Sequence, residues 1–338
     1  MRATIADIAR AAQVSTATVD RVLNARGGVR EKTRQTVMTV AAQLGYLDDG
    51  GAIVPVGRPV TLHVLLPEGT NAYIDELEAQ FQRQSETLGH VSVNVERLPK
   101  LAPLSLADRI AALRGASDGI ALVGLDHPAV REALCGISAR GVPVLTIASD
   151  VQHVPGRQYV GIDNSHAGRL AGLLAGRFLG AAASSKVALL SGSLAYRGHQ
   201  EREMGFRQIL NEEFPNLQLV EVREINEDRA LARSAVGTLL ARHPDLAAIY
   251  NIGGGTIGVC EALEETGRSK NVFLFAHDLS EAKRAYLLNG TVDAIFDQDP
   301  TQQVREALAS LVSRVRRFRY TFIQPSLRVI FRENLPAA

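Results

Sequence analysis

The segment from Ser15 to Arg21 places hydroxyl groups and one guanidinium along two turns of a predicted helix. Ser15 is a good N-cap for a helix over Thr16 to Leu23, because its side chain can accept a hydrogen bond from a first-turn backbone amide. Another helix lies just before it, and a short turn at residues 13 and 14 joins the two. Two helices joined in this way form the helix-turn-helix plan, whose second helix enters the major groove of DNA with its N-terminus first.

That geometry predicts which side chains reach the nucleic acid. Thr16, Ala17 and Arg21 would face base edges, while the hydroxyls of Ser15 and Thr18 can reach phosphates. Arg21 is predicted to read a guanine, because its planar fork matches the O6 and N7 acceptors together. The residues alone leave one alternative open, which is a small helical cap with a solvated basic face.

Two more helices must hold this segment in place. Thr4 and Asp7 have the spacing of a capping box for the first, whose apolar face consists of Ile5, Ile8, Ala9 and Ala12. The third is predicted from about Glu31, with Gly45 as its stop and a buried face made of Val37, Val40, Ala41 and Leu44.

The charge of the chain is concentrated in this head. Residues 1–47 carry seven Lys and Arg against three Asp and Glu, a net charge of +4, although the whole chain has a net charge of +1. A basic head on a near-neutral body is the pattern expected when only the head binds a polyanion.

The composition indicates globular domains. The 338 residues are 46% hydrophobic and 22% charged, which suits two or three domains with aliphatic cores, since Trp is absent. The two cysteines, Cys135 and Cys260, form no CxxC or Cys/His cluster, which favours a reducing compartment and no structural zinc. Neither a signal-peptide core nor a membrane-spanning apolar run is present in the sequence. We therefore expect a cytoplasmic chain without membrane contact, metal or cofactor.

From Val60 onward, strand-like and helix-like segments alternate. One series runs from a strand over Val60–Leu66 to a long helix over Ser165–Leu179, and another runs from a strand over Lys186–Leu190 to one over Ala294–Phe296. Buried strands alternating with helices predict parallel sheets, and the restart near residue 186 predicts two lobes. The fold class is therefore α/β, with a small all-α helix-turn-helix head and a two-lobed parallel-sheet body. Ligands of such folds lie at the carboxyl ends of strands, in a cleft that can close like a hinge.

Other motifs give no support for catalysis. The run from Gly253 to Thr256 lacks the Lys-Ser/Thr of a phosphate-binding loop and is typical of a tight strand-to-helix turn. Ser191-Gly-Ser193 is not a nucleophile elbow, and His277 beside Asp278 suits an orienting or core role better than a catalytic one. We therefore predict that the chain is not an enzyme.

Two further patterns predict surfaces that pack. Glycines recur every fourth residue at Gly168, Gly172, Gly176 and Gly180, which in a chain of this kind predicts a close helix-packing stripe. Arginines cluster over residues 314–319, which favours a solvated or inter-subunit face over a second nucleic-acid site.

The head resembles the lactose-repressor (LacI) family throughout its three helices. The stretches that carry the resemblance are Thr4 to Ser15, Thr18 to Asn24, Val29 to Val37 and Leu44 to Tyr46. The resemblance implies binding to operator DNA, and it adds to the predicted DNA-contacting residues Thr4, Ile5, Asn24, Val29 and Thr33.

The sequence departs from the family at two places in this region. Asp20 stands where the family commonly has Ser, and it could accept a hydrogen bond from a cytosine or hold Arg21 or Arg26 in place. The family usually continues with a hinge helix, whereas residues 48–59 here are rich in Gly, Pro and Asp, which oppose a helix. We therefore predict a head over 1–47, a linker over 48–59 and a ligand-binding and dimerisation domain over 60–338.

The body resembles the type I periplasmic binding-protein fold from about Val60 to Leu335, and its matching stretches are similar to sugar-binding members. The ligand residues that the resemblance implies are Asn71, Tyr73, Ser149, Arg202, Glu227, Asn251, Asp278 and Gln298. Their amide, carboxylate and guanidinium groups suit paired sugar hydroxyls, and Tyr73 can cover a pyranose face. Sugar-binding members often have Asp-Arg where this chain has Ala148-Ser149. Asp150 is a predicted substitute, and the ligand is then other than a common pentose or hexose.

These features together predict a ligand-responsive DNA-binding transcriptional regulator, by resemblance a repressor, of carbohydrate or polyol use. Its expected partners are double-stranded operator DNA, a small effector and further copies of the chain, as a homodimer or tetramer on an inverted repeat. One alternative is a sugar-binding protein of a transport system, which the body alone would suggest. The other alternative is an enzyme whose active site is the cleft.

Overall fold

The computed structural model describes residues 4–24, 26, 28–43, 59–180 and 184–337. Within these ranges the chain forms a head of three helices and a body with two sheets. The predicted helix stop at Gly45 and residues 48–58 of the predicted linker lie outside the described residues. The boundaries proposed for head, linker and body therefore stay predictions. None of the described helices is long and apolar enough to cross a lipid bilayer.

The head has the predicted helices. They are α1 Ile5–Ala11, α2 Thr16–Leu23 and α3 Glu31–Gln43. Thr4 and Asp7 form the capping box at α1, and Ser15 accepts a hydrogen bond from the Thr18 amide at the start of α2. One small core holds the helices together, made of Ile8, Ala9, Ala12, Val19, Val22, Leu23, Val37 and Ala41.

The first body sheet contains five parallel strands. They are β1 Val60–Pro67, β2 Val91–Leu98, β3 Gly119–Leu122, β4 Val144–Ile147 and β5 Gln158–Val160. Their order across the sheet is β2-β1-β3-β4-β5, and the helices α4 Ala72–Ser85, α5 Pro103–Ala112 and α6 Pro128–Ser138 connect the first four of them. The central strands are almost wholly buried, because helices cover both faces of a parallel sheet.

The second sheet contains six strands. They are β6 Ser185–Ser191, β7 Leu217–Glu224, β8 Leu246–Asn251, β9 Phe273–His277, β10 Ala294–Asp297 and β11 Arg328–Ile330. Their order is β11-β10-β9-β8-β6-β7, and the associated helices are α7 Asn164–Leu179, α8 Arg197–Glu213, α9 Arg229–Arg242, α10 Thr256–Glu265 and α11 Glu281–Leu288. The edge strand β11, which was not predicted from the sequence, runs antiparallel to β10. The predicted strands are parallel, as expected.

The chain returns to the first sheet after β10. Helix α12, Pro300–Arg316, which was not among the predicted elements, packs on α4 and on strands of the first sheet. We call residues 60–162 and 300–322 the N-lobe, and residues 164–298 and 328–335 the C-lobe. Each lobe is therefore built from separate stretches of the chain. The alternation of strands and helices along the sequence correctly predicts two lobes but not this exchange of segments between them.

The predicted glycine stripe allows α7 and α8 to pack closely. A Cβ atom added at Gly168 would lie 2.0 Å from the backbone oxygen of Arg202, and one at Gly172 would lie 2.3 Å from Ile209 Cγ2. Gly176 similarly leaves room for the ring of Phe214. Gly180 has a different role, because it ends α7 with a positive φ of 87°.

The arginine cluster near the C-terminus is only partly a solvated face. Arg314 donates hydrogen bonds to the backbone oxygens of Val144 and Gly156, and Arg316 donates to those of Gly89 and His90. These two side chains fix the end of α12 to loops of the N-lobe, which the sequence prediction missed.

We expect Gly168→Ala to lower the free energy of unfolding by about 1–3 kcal/mol, because the new methyl group must force α7 and α8 apart. Gly237→Ala is the matched control, since Gly237 lies within α9 with open space around its Cα. It should raise the free energy of unfolding by about 0.5–1 kcal/mol through helix propensity. Urea unfolding measures both changes. A Gly168→Ala protein as stable as the Gly237→Ala protein would contradict the packing role of the stripe.

Candidate functional site

A cavity lies between the lobes, at the carboxyl ends of their strands. The residues that line it follow β1, β3, β4, β7, β8, β9 and β10, or lie at the start of α8. Because these strands run parallel within each sheet, their carboxyl ends meet at one edge, where the sequence predicts a cleft.

Most of the predicted ligand residues meet at this cavity. Seven of the nine line it, namely Asn71, Tyr73, Ser149, Arg202, Glu227, Asp278 and Gln298. Asp150 and Asn251 do not line it. The Asp150 carboxylate accepts hydrogen bonds from Thr146 Oγ1 at 2.6 Å and from the Val151 amide at 2.8 Å, and it pairs with Arg157 at 2.8 Å. Asp150 therefore holds its own loop together.

Asn251 supports the glycine turn after β8. Its Nδ2 donates to the backbone oxygens of Gly253 and Gly254 and to Thr256 Oγ1 at 2.9 Å, and the residue is fully buried. The turn passes close to the cavity, because a Cβ at Gly253 would lie 3.0 Å from the His199 ring. As predicted, this run is a tight strand-to-helix turn.

Arg202 forms the polar floor of the cavity. It is 3% exposed and lies on α8, where Nε donates to Asn164 Oδ1 at 2.8 Å and Nη1 donates to the backbone oxygen of Ile252 at 2.9 Å. The acceptors of these bonds lie on α7 and in the loop after β8. The guanidinium is therefore held rigidly by backbone and amide oxygens, and its charge is directed at the cavity rather than used in an ion pair.

Asp278 brings the opposite charge into the same space. Burial raises the pKa of its carboxyl, although Arg202, Lys283 and a 2.8 Å hydrogen bond from Gln298 Nε2 all act in the other direction. Burial also lowers the pKa of Lys283, whose Nζ donates to the backbone oxygens of His277 and Asp278 at 2.6 and 2.7 Å. The site thus contains buried charges that solvent does not stabilise, a common property of binding and active sites.

Backbone strain is found at the same strand ends. Ala148, Glu227 and Asp278 line the cavity and have positive φ angles of 63°, 57° and 60°, although none of them is glycine. Such conformations cost of order 1–3 kcal/mol each and cluster at functional sites. Here they turn the chain sharply after β4, β7 and β9, which brings each residue to the cavity.

Several contacts hold the lobes closed over the cavity. Asn71 Nδ2 in the N-lobe donates to Glu227 Oε1 in the C-lobe at 2.8 Å, and Lys100 Nζ donates to the backbone oxygen of Asn226 at 2.7 Å. Tyr196, which precedes α8, packs into the N-lobe core beside Leu101.

Among the aromatic residues of the cavity, Tyr196 and His199 were not predicted from the sequence. The spacing of apolar residues predicts α8 from Glu201, whereas the helix begins at Arg197. Both residues therefore lie at the helix start rather than in a loop. His199 is half-buried, and desolvation lowers the pKa of its imidazole, while its Nδ1 lies 2.9 Å from the backbone oxygen of Ser193. One signal in the sequence could have indicated His199, namely that it is a polar residue in the segment that follows β6.

In the head, the start of α2 is exposed to solvent. Ser15, Thr16, Ala17 and Arg21 are exposed, whereas Val19 faces the core. The predicted contacts at Thr4, Ile5, Thr18, Asn24, Val29 and Thr33 are exposed or half-buried.

Asp20 helps to organise the end of α2. Its carboxylate accepts hydrogen bonds from Asn24 Nδ2 at 2.7 Å and from Arg26 Nη1 at 3.2 Å. Of the interpretations considered for Asp20, the structure thus supports the one in which it holds Arg26.

Within the described residues, no group of three or more His, Cys, Asp or Glu side chains is arranged to hold a metal ion.

Comparison with known proteins identifies both parts of the chain. A model of the periplasmic binding protein domain matches residues 62–316, and a model of bacterial regulatory proteins of the lacI family matches residues 4–49. The chain is a lacI-family protein with a periplasmic-binding-protein body. The family expected from the sequence is thereby confirmed.

Relatives of this lacI-family protein include regulators. The HTH-type transcriptional regulator DegA of Bacillus subtilis is 28% identical over 215 residues, which are 63% of this chain and 62% of DegA. The HTH-type transcriptional repressor PurR of Vibrio vulnificus is 29% identical over 217 residues, 62% of this chain and 61% of PurR. The chain thus spans about three fifths of the length of these curated relatives.

The body is also similar to solved sugar-binding proteins. The crystal structure of GanP, a glucose-galactose binding protein from Geobacillus stearothermophilus, superposes with a TM-score of 0.73 and 26% identity, and covers 82% of this chain and 99% of GanP. The two-lobed α/β fold predicted from the sequence is confirmed by this likeness.

The buried carboxyl of Asp278 should make the folded state less stable as pH rises. Its pKa in the folded chain is raised above the ordinary value of 3.8, so the folded state keeps the proton longer and stability is lost between 3.8 and the folded pKa. We expect Asp278→Asn to lose this slope in urea unfolding above about pH 4. Asp293 lies away from the cavity, and burial raises the pKa of its carboxyl to about 6. Asp293→Asn is therefore the control, which should lose only the pH dependence that Asp293 itself contributes. An unchanged profile in Asp278→Asn would contradict the assigned burial cost.

Proposed function

We propose that this chain is a ligand-responsive transcriptional regulator that binds operator DNA through its head and a sugar, polyol or related effector in its inter-lobe cavity. One observation carries the proposal. A single chain joins an exposed helix-turn-helix reading face to a cavity lined by buried charges and amides. The two regulators among its relatives and the sugar-binding neighbour support the same assignment of the two parts.

The proposed regulator acts as a repressor in the cytoplasm and has no enzymatic activity. Two heads of a homodimer or larger symmetric oligomer would engage the half-sites of an inverted repeat, since the symmetry of the protein is matched by that of its operator. The head would be positioned by phosphate contacts from Ser15 and Thr18, while Thr16, Ala17 and Arg21 read bases.

The proposed switch is a shift between open and closed lobes. Asn71–Glu227, Lys100–Asn226 and Tyr196–Leu101 are contacts that form only when the lobes meet. A ligand that binds Arg202 and Asp278 while touching the N-lobe favours this closed state in proportion to its differential affinity. Regulation then follows because the lobe geometry sets the relative position of the paired heads.

We expect Arg21→Ala to lower the affinity for the preferred operator by about 1–3 kcal/mol and to relax the choice of base at one position, since a bidentate guanine contact is lost. Selection from random DNA with the wild-type protein first defines the operator. Arg10→Ala is the matched control, because it removes the same charge from α1, where Arg10 is exposed and pairs with Asp7. A selected sequence that is unchanged in Arg21→Ala would rule out the assigned reading helix.

We expect a thermal-shift screen of sugars, polyols, sugar acids and nucleosides to yield a ligand, because saturation at ~100 times Kd stabilises a protein by about 2.7 kcal/mol. The shift should be lost in Asp278→Ala and retained in Asp150→Ala, whose side chain lies outside the cavity. The same ligand should change the affinity of the protein for its operator. A ligand that binds the cavity but leaves operator affinity unchanged would refute the regulatory role and leave only a binding protein.

A further inference from the structure

The two walls of the inter-lobe cavity differ in chemistry. The C-lobe wall carries five polar side chains, His199, Arg202, Glu227, Asp278 and Gln298. The N-lobe wall carries mainly hydrocarbon, from Pro67, Ile74, Val123 and Ala148. A ligand that fills the cavity must therefore meet polar groups on one edge and apolar groups on the other.

The polar side chains of the N-lobe wall already have protein partners. Asn71 Oδ1 accepts a hydrogen bond from the Tyr73 amide at 3.1 Å, and Asn71 Nδ2 donates to Glu227. The Tyr73 hydroxyl donates to Gln303 Oε1 at 2.6 Å. Ser149 Oγ accepts a long hydrogen bond of 3.5 Å from the Gly198 amide and keeps its own proton to donate. Beside Ile74, Val123 and Ala148 this wall consequently offers hydrocarbon, and Ser149 is its main remaining polar contact for a ligand.

The C-lobe wall, in contrast, has unused capacity. Gln298 Oε1 is buried without a hydrogen-bond partner in the described part of the chain. Arg202 uses Nε and Nη1 in its hydrogen bonds to protein, so Nη2 is left for another acceptor. Buried polar groups are normally satisfied, and both residues line the cavity, so a ligand hydroxyl could satisfy this acceptor and this donor.

Tyr196 extends the apolar wall, although it comes from the C-lobe. Its side chain is 8% exposed and packs with the N-lobe core, beside Leu101. The ring therefore adds hydrocarbon to the lining of the cavity.

The closed cavity is small. The centre of a water molecule can move through about 50 Å³ of it, several times the space that a single buried water needs. This volume favours a compact molecule over an extended one.

We infer that the effector is a small hydroxylated molecule with one apolar edge, of the class of 6-deoxy sugars, whose hydroxyls face the C-lobe and whose methyl edge faces Ile74, Val123 and Ala148. This inference rests on the proposed function, since it assumes that the cavity binds the effector. An additional hydroxyl on that edge would lose its water without gaining a partner in the protein.

The test compares sugars that differ only at carbon 6. The pairs are L-fucose with L-galactose, D-fucose with D-galactose and L-rhamnose with L-mannose, each titrated calorimetrically into the full chain. In the pair that binds, the deoxy member should bind about ten- to a hundredfold more tightly, which is the discrimination that an apolar pocket achieves against one extra hydroxyl.

A variant with a polar group in the apolar wall should change this preference. Val123→Thr replaces one methyl of a cavity residue by a hydroxyl of nearly the same shape, and should reduce the deoxy preference by about three- to tenfold. Val64→Thr is the control, because Val64 is fully buried in the N-lobe core and does not line the cavity. It should leave the preference unchanged, even if it lowers stability.

Each outcome supports or overturns the inference. Tighter binding of a deoxy sugar, with the preference reduced in Val123→Thr alone, supports it. Equal or tighter binding of the hydroxylated partners, or binding of other sugars without any 6-deoxy sugar, overturns the inference and leaves the proposed regulator intact. If sugars, polyols, sugar acids and nucleosides all fail to bind, both this inference and the proposed effector class fail.

Discussion

The close contact between α7 and α8 is the constraint on which the cavity depends. Gly168 lets the backbone of α8 approach to a distance that any side chain would prevent, and Gly172 and Gly176 leave room for Ile209 and Phe214. Gly205 on α8 does the same from the other side, since a Cβ there would lie 2.1 Å from the backbone oxygen of Ser165. Only at this distance can Arg202 reach Asn164 on α7 and Ile252 after β8 together. The packing of α7 against α8 thus also fixes the Arg202 guanidinium at the floor of the site.

The site itself is costly to the folded state. Buried charges at Arg202, Asp278 and Lys283 lose hydration, and three of the residues at strand ends adopt strained backbone conformations. The surrounding sheets offset this cost, because the central strands of both lobes are almost wholly apolar and buried. Local rules are broken where a ligand is to be bound and are kept elsewhere, which is the usual distribution in proteins that bind small molecules.

The head follows a different rule, in which a single group caps a helix and stays accessible to solvent. Ser15 Oγ accepts the hydrogen bond that caps α2 and lies 2.9 Å from Thr18 Oγ1, yet Ser15 remains exposed. The cap therefore fixes the direction of α2 and leaves hydroxyl groups at its tip. Asp20 adds to this rigidity through Asn24 and Arg26, so the end of the helix is held without use of Arg21.

Local patterns in the sequence determined most of the secondary structure and much of the site. Caps at Thr4 and Ser15, buried strands, the glycine stripe and polar residues at strand ends such as Asp278 all depend on neighbours a few residues away. Their positions could therefore be predicted from spacing and residue type. The tertiary structure alone decided the return of α12 to the N-lobe and the antiparallel direction of β11. It also decided the packing of Tyr196 into the N-lobe core and the exclusion of Asp150 and Asn251 from the cavity. These features depend on contacts between residues far apart in the chain, and the periodicity of a segment does not specify which partner it will meet.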